Sequence, residues 1–249
     1  MTAPSSRPAN PYAAEIVAEC LKLLRAPEFI FPTLVLPVAF YTMFAVILPG
    51  SDQNAPYLLA TFGVFAVMGP ALFGFGAGVA QERERGWLKL KRAVPAPAPA
   101  YIVAKTVATL IMATAGLVLV YLAAGFLAGV TLERATWALL LGVHILAALP
   151  FVFAGLTLGF LLGANGAVAA ANLLFLALAV LGGLWIPIVV FPDLMQQIAW
   201  ATPSFHLAEI ALSAAGQAGD RPVGLHLAII AAMTAGLALT AALTWLRQR

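Results

Sequence analysis

The chain has 249 residues, 63% of them hydrophobic and only 23 charged, with 13 Lys and Arg against 10 Asp and Glu. A soluble domain is about one quarter charged, and roughly six spans of about 20 apolar residues each leave no room for a soluble catalytic domain. The apolar residues come in long runs and Cys20 is the single cysteine, which together exclude extended disorder, a disulfide scaffold and a β-barrel.

Residues 1–11, MTAPSSRPANP, read as a disordered leader. Residues 12–28 read as an amphipathic helix lying in the membrane interface. Ile16, Leu23 and Leu24 share its apolar stripe with Val17 and Cys20 beside them, and Glu15, Glu19, Lys22 and Arg25 take the polar side. A secretory signal is not expected, because the long apolar run begins only after Glu28. Residues 29–249 form an all-α domain with six expected spans, at 29–48, 57–80, 102–128, 137–162, 166–190 and 224–246. An even number of spans returns both termini to one side. That side carries Arg7, Lys22, Arg25, Arg83, Arg85, Lys89, Lys91, Arg92, Lys105, Arg247 and Arg249, whereas the opposite side has only Arg134 and Arg221. Basic residues stay inside, so both termini are expected to be cytoplasmic, in a bacterial inner membrane.

Two connections are long. The cytoplasmic segment 81–101 leaves the membrane as Gln81-Glu82-Arg83-Glu84-Arg85-Gly86 and presents Trp87, Leu88 and Leu90 among basic residues. It ends in Val94-Pro95-Ala96-Pro97-Ala98-Pro99, which cannot continue a helix. Composition alone makes it a solvated loop against anionic headgroups. The order of residues says more. Glu-Arg-Glu-Arg-Gly, an aromatic, Leu88, Leu90, Pro95 and Lys105 entering the third span resemble the cytoplasmic segment of the type-2 ABC transporter permeases, exporters of the type V fold. Trp87 stands where that family usually has Thr. The resemblance covers essentially the whole chain and implies that 82–92 is a coupling helix docking into a cleft on a separate ATPase subunit. In that reading Glu82 and Glu84 pair with basic groups of the ATPase, Gly86 permits close backbone approach, and Leu88 and Leu90 fill an apolar groove. Lys105 either pairs with Glu82 or Glu84 or snorkels to the headgroups.

The external segment reads Gly182-Gly183-Leu184-Trp185-Ile186-Pro187, then Phe191-Pro192-Asp193-Leu194, then Pro203-Ser204-Phe205-His206. Leu194, Ile198 and Ala201 recur at helical spacing, as do Phe205, Ala208 and Leu212, so two short half-buried helices are expected. They form either a re-entrant hairpin or an interfacial loop anchored by Trp185 and Trp200. By the same resemblance, 184–215 is an external gate involving Gly183, Trp185, Pro187, Pro192, Pro203 and Phe205.

Other features have plainer readings. Gly74-x-x-x-Gly78 is expected to be a close-packing surface rather than a nucleotide loop. Pro37, Pro70 and Pro150 are candidate kinks. His144 and Asn172 are either interhelical glue or part of a substrate path, and His206 with Glu209 is too small a set for a metal. No phosphate-binding Gly-x-x-x-x-Gly-Lys motif occurs, so this chain needs no cofactor of its own. ATP and Mg belong to the separate ATPase, and a second permease copy or paralogue is the other expected partner, with membrane lipid and no nucleic acid. The cargo cavity is expected between spans one, two and five, for a hydrophobic or amphiphilic drug, antibiotic or lipid. The rival reading is an ATP-independent scaffold, sensor or intramembrane enzyme; against the enzyme, the expected spans hold no serine.

Overall fold

The computed structural model describes residues 10–25, 30–48, 54–87, 97, 100–217, 219 and 222–247. Among them the chain is all helical. Helix α1 spans Pro11–Leu24, with Pro11 at its start and the Asn10 side chain accepting the Tyr12 amide at 3.0 Å. The first expected span is a broken run: a wide π turn Phe31–Val35, helix α2 Leu36–Thr42 and a second wide turn Met43–Ile47. The first wide turn ends just before Pro37, which has no amide hydrogen to continue the α pattern.

Five helices are long and apolar enough to cross a membrane: α3 Ala55–Glu84, α4 Ala100–Phe126, α5 Arg134–Leu161, α6 Ala164–Leu181 and α9 Val223–Leu246. The apolar run Thr33–Ile47 is shorter, roughly 22 Å as an α-helix against about 30 Å of hydrocarbon. A short 3₁₀ turn, Ile188–Val190, and two short helices, α7 Asp193–Ala199 and α8 Pro203–Ala214, lie between α6 and α9.

Helix α3 sits at the centre and packs against α4, α5, α6 and α8. It is apolar on every side, the pattern of a fully enclosed helix. Its most apolar stretch is 94% buried, whereas that of α9 is 17% buried. The second span therefore offers almost no face to a cavity, and of the three spans expected to line one, only the first and fifth have open sides.

The closest packing in the bundle joins α3 to α5. A Cβ built on Gly159 meets the Phe75 carbonyl oxygen at 2.6 Å, and one on Gly155 meets the Ala71 carbonyl oxygen at 2.9 Å. The Gly155-x-x-x-Gly159 pair on α5 therefore packs closely against the α3 backbone around Gly76, which lies between the expected Gly74 and Gly78. Pro70 and Pro150 both lie inside continuous helices.

His144 is wholly buried on α5. It donates from Nε2 to the Ala60 carbonyl at 2.9 Å and accepts at Nδ1 from the Tyr121 hydroxyl at 2.9 Å, tying α3, α4 and α5 together. Asn172 is not the interhelical glue that was one of its two expected roles: it is exposed, and its amide donates to the Val168 carbonyl of its own helix at 2.9 Å.

Candidate functional site

The charged end of α3 is built inward. Thirty residues carry α3 about 45 Å, farther than the hydrocarbon layer, so its last turns stand at the membrane surface. Glu82 lies in the last turn and is only 8% exposed. Its carboxylate accepts from Lys22 on α1, from the Tyr101 hydroxyl on α4 and from Lys105 on α4, the last at 3.0 Å. Lys105, 4% exposed, also reaches Glu19 of α1 at 3.3 Å, and Lys22 pairs with Glu19 at 2.6 Å. Two carboxylates and two ammonium groups balance, which is the condition under which buried charges are tolerated. Burial works against the Lys22 charge, but the Glu82 and Glu19 carboxylates outweigh it and hold the ammonium above its usual value of 10.5.

Glu19 and Lys22 lie on the polar side of α1, and Glu19 on that side is buried against the bundle, while Val17, Leu21 and Leu24 are exposed on the helix. Glu82, expected to meet basic groups of a partner, lies within α3 and pairs with this chain's own Lys22 and Lys105. Lys105 pairs with Glu82, one of the two carboxylates expected for it, and also reaches Glu19.

Arg83 and Glu84 form a second device on the same turn. The Arg83 guanidinium donates to the Phe160 carbonyl and, at 2.7 Å, to the Leu162 carbonyl, where α5 ends. The Glu84 carboxylate accepts the Ala164 amide at 2.8 Å, where α6 begins. A cation on a helix C-terminus and an anion on a helix N-terminus are each in the favourable position. Two adjacent residues of α3 therefore clamp the turn between α5 and α6. A Cβ on Gly163 would come within 2.7 Å of the Glu84 carboxylate, so a larger residue there makes the Glu84 side chain shift.

Helix α3 stops at Gly86, whose φ of +76° is the left-handed conformation that ends helices, and no atom lies within 4 Å of where its Cβ would be. Within this chain the glycine serves the dihedral angle, and the space beside it is open. Trp87 follows, 52% exposed. Leu88, Leu90 and Pro95 lie outside the described residues.

The opposite end of α6 is held differently. Gly183, at φ +69°, ends the helix: its amide bonds to the Val180 carbonyl and the Leu184 amide to the Ala179 carbonyl, both at 3.0 Å. Trp185 then turns into the bundle, edge-on to Phe40 and Phe65 at 5.5 Å each, so it is a plug between spans one and two rather than an interfacial anchor. Pro187 precedes the 3₁₀ turn, Pro192 precedes α7, and Pro203 opens α8 behind the Thr202 cap. Ser204 donates to the Leu178 carbonyl of α6 at 2.7 Å, and Phe205 is buried against Ile188 and Ala199.

His206 is fully buried and 2.9 Å from His226 of α9, Nδ1 to Nδ1. The Trp200 carbonyl only accepts, so His206 Nε2, 2.9 Å away, carries hydrogen. In the neutral pair His206 Nδ1 then accepts and His226 Nδ1 donates. Ser204 donates to a backbone carbonyl and not to an imidazole, so no serine–histidine couple forms here among the described residues. Among the described residues no group of three or more His, Cys, Asp or Glu could hold a metal.

Sequence reasoning did not single out Arg83, Tyr101, His226 or the Gly155 and Gly159 pair for these roles. The glycine spacing and the Glu19-x-x-Lys22 spacing were readable signals; the His226 partnership, across a loop and a helix, left none.

Residues 13–215 match the family described as ABC-2 type transporter. The chain is also 31% identical over 202 residues to a Bacillus subtilis (strain 168) protein named "Putative transport permease YvfS", covering 79% of this chain and 82% of that protein. The chain belongs to the ABC-2 type transporter membrane family, as a multi-pass transport permease rather than an enzyme.

Proposed function

We propose that the chain is the membrane subunit of an ATP-driven exporter, working with a separate ATPase that binds ATP and Mg, and with a second permease copy or paralogue across the membrane plane. Family membership supports an ABC ATPase partner in general terms. The observation that carries the finer reading is the charged end of α3. A push delivered just beyond Gly86 meets a helix end fixed to α1 and α4 through Glu82 and to the α5–α6 turn through Arg83 and Glu84. Force entering there spreads to four helices rather than bending one.

In this reading the broken run Thr33–Ile47 is the core of a first crossing, giving six, with both termini cytoplasmic in a bacterial inner membrane. The segment from Trp87 onward meets the ATPase, and the 184–215 hairpin is the outer gate. The cargo is hydrophobic or amphiphilic, consistent with the open face of α6, where Leu173, Leu176 and Val180 are exposed beside Asn172.

Since Glu82 is engaged inside the chain, Trp87 is the better probe of docking. The tagged chain is purified gently from its host and the co-purifying proteins are identified by mass spectrometry. Wild type brings down a Walker-type ATPase, and Trp87→Glu loses it while keeping the wild-type melting temperature. Absence of any such ATPase, in conditions that hold other membrane complexes together, overturns the ATP-driven reading in favour of a function built on the spans alone.

A further inference from the structure

A cleft of about 320 Å³ lies in the hairpin, lined by Ile188, Asp193, Gln196, Gln197, Trp200 and Phe205. Its lining is unusual for its surroundings. Val189, Val190, Leu194 and Ile198 stand exposed on the same short segment, an apolar surface suited to the membrane, while the cleft holds a carboxylate and two carboxamides. No Lys or Arg occurs between Arg134 and Arg221, and Asp193 has no ion pair among the described residues. The Gln196 amide nitrogen donates to the Phe191 carbonyl at 2.8 Å, which fixes the side chain. Its carbonyl oxygen remains to accept. The aromatic walls are Phe205, buried, and Trp200, whose ring is held against His226 at 5.4 Å and Phe205 at 5.4 Å and is still 37% exposed.

A carboxylate, an oriented carbonyl oxygen and aromatic rings favour one chemistry. Each is an acceptor or an electron-rich face; together they suit a cation that carries N–H donors. Asp193 is exposed, so a positively charged group from outside can reach its carboxylate. We propose that this cleft binds an ammonium group, and that its source is the amine headgroup of a membrane lipid. The headgroup sits at Asp193 with the acyl chains along the exposed Val189, Val190 and Leu194. The site depends on the chain being in a membrane and is independent of what it transports.

The full chain is reconstituted into nanodiscs of equal parts phosphatidylethanolamine and phosphatidylglycerol, and retained lipids are weighed by native mass spectrometry after partial delipidation. The bound fraction is enriched about tenfold in phosphatidylethanolamine, the ratio a single charge-assisted contact supplies. Asp193→Asn removes the enrichment and leaves the melting temperature in pure phosphatidylglycerol discs unchanged. Gln196→Met lowers it and keeps the proposal testable if the Asp193 variant does not fold. Free ethanolamine is added to the phosphatidylglycerol discs as a second arm. A thermal shift there that requires Asp193, without lipid enrichment, retains the ammonium site and overturns the lipid as its source. Absence of both effects, or enrichment that persists in Asp193→Asn, overturns the site; Asp193 then serves only the first turn of α7.

Discussion

The two ends of α6 are fastened by opposite kinds of chemistry. At its start, charged groups of α3 hold the turn: Glu84 on the Ala164 amide and Arg83 on the last carbonyls of α5, next to the Glu82 cluster. At its far end the attachments are neutral: one hydroxyl on one carbonyl and an indole wedged between phenylalanines just beyond it, with an imidazole pair joining the neighbouring α8 to α9. Charged groups removed from water lose much when separated, because each must be left uncompensated. Neutral hydrogen bonds and aromatic contacts are worth about 1 kcal/mol each and are readily exchanged for others. The Glu82 end is therefore held more stiffly than the far end, the contrast that the proposed drive from one side needs.

Breaking the ionic end has the largest expected effect. Glu82→Ala leaves Lys22, Lys105 and the Tyr101 hydroxyl facing one another with one carboxylate between them, and costs about 3–5 kcal/mol. Thermal unfolding in detergent shows this as loss of the folded fraction. Pairing it with Lys105→Met restores charge balance and recovers much of the loss; no recovery means the groups do not act as a unit. Midway between the ends, Gly159→Ala drives a methyl into the Phe75 and Gly76 carbonyls and costs about 1–3 kcal/mol. Both ends loosen together in limited proteolysis, since α3 and α5 carry both.

Smaller effects sharpen the contrast. Ser204→Ala removes the bond to Leu178 and costs about 1 kcal/mol, speeding proteolysis of the hairpin and leaving the Glu82 end unchanged. The pH response of α1 is smaller still. The Lys22 ammonium is held above its unfolded value of 10.5, so its stabilisation is complete below that pH and is lost as pH rises through the higher folded value. Attachment of α1, read from the reactivity of Cys20, stays flat to about pH 10 and weakens above 10.5. Weakening near neutral pH contradicts the assignment.

The apolar runs made the long spans legible, because a helix crossing hydrocarbon must be apolar for most of its length. Proline and glycine made the hairpin legible: Pro192 and Pro203 stand where α7 and α8 begin, and Gly183 where α6 ends. The partners of the charges were not legible. Glu19 and Glu82 are 63 residues apart in the chain, and an amphipathic pattern says which residues share a face without saying whether water or another helix covers it. For the same reason the choice between the two expected roles of Asn172 was not legible: its position in an apolar run was readable, the exposure of its side of α6 was not. His144 was readable as buried polar glue, though not its two partners.

The most direct test of the two-ended account is hydrogen exchange of the chain in lipid nanodiscs, followed residue by residue. The account expects the amides at 82–85 and 163–167 to exchange at least tenfold more slowly than those at 186–200, as contiguous units of different stability do. Equal rates at both ends, or faster exchange at the Glu82 end, contradict it.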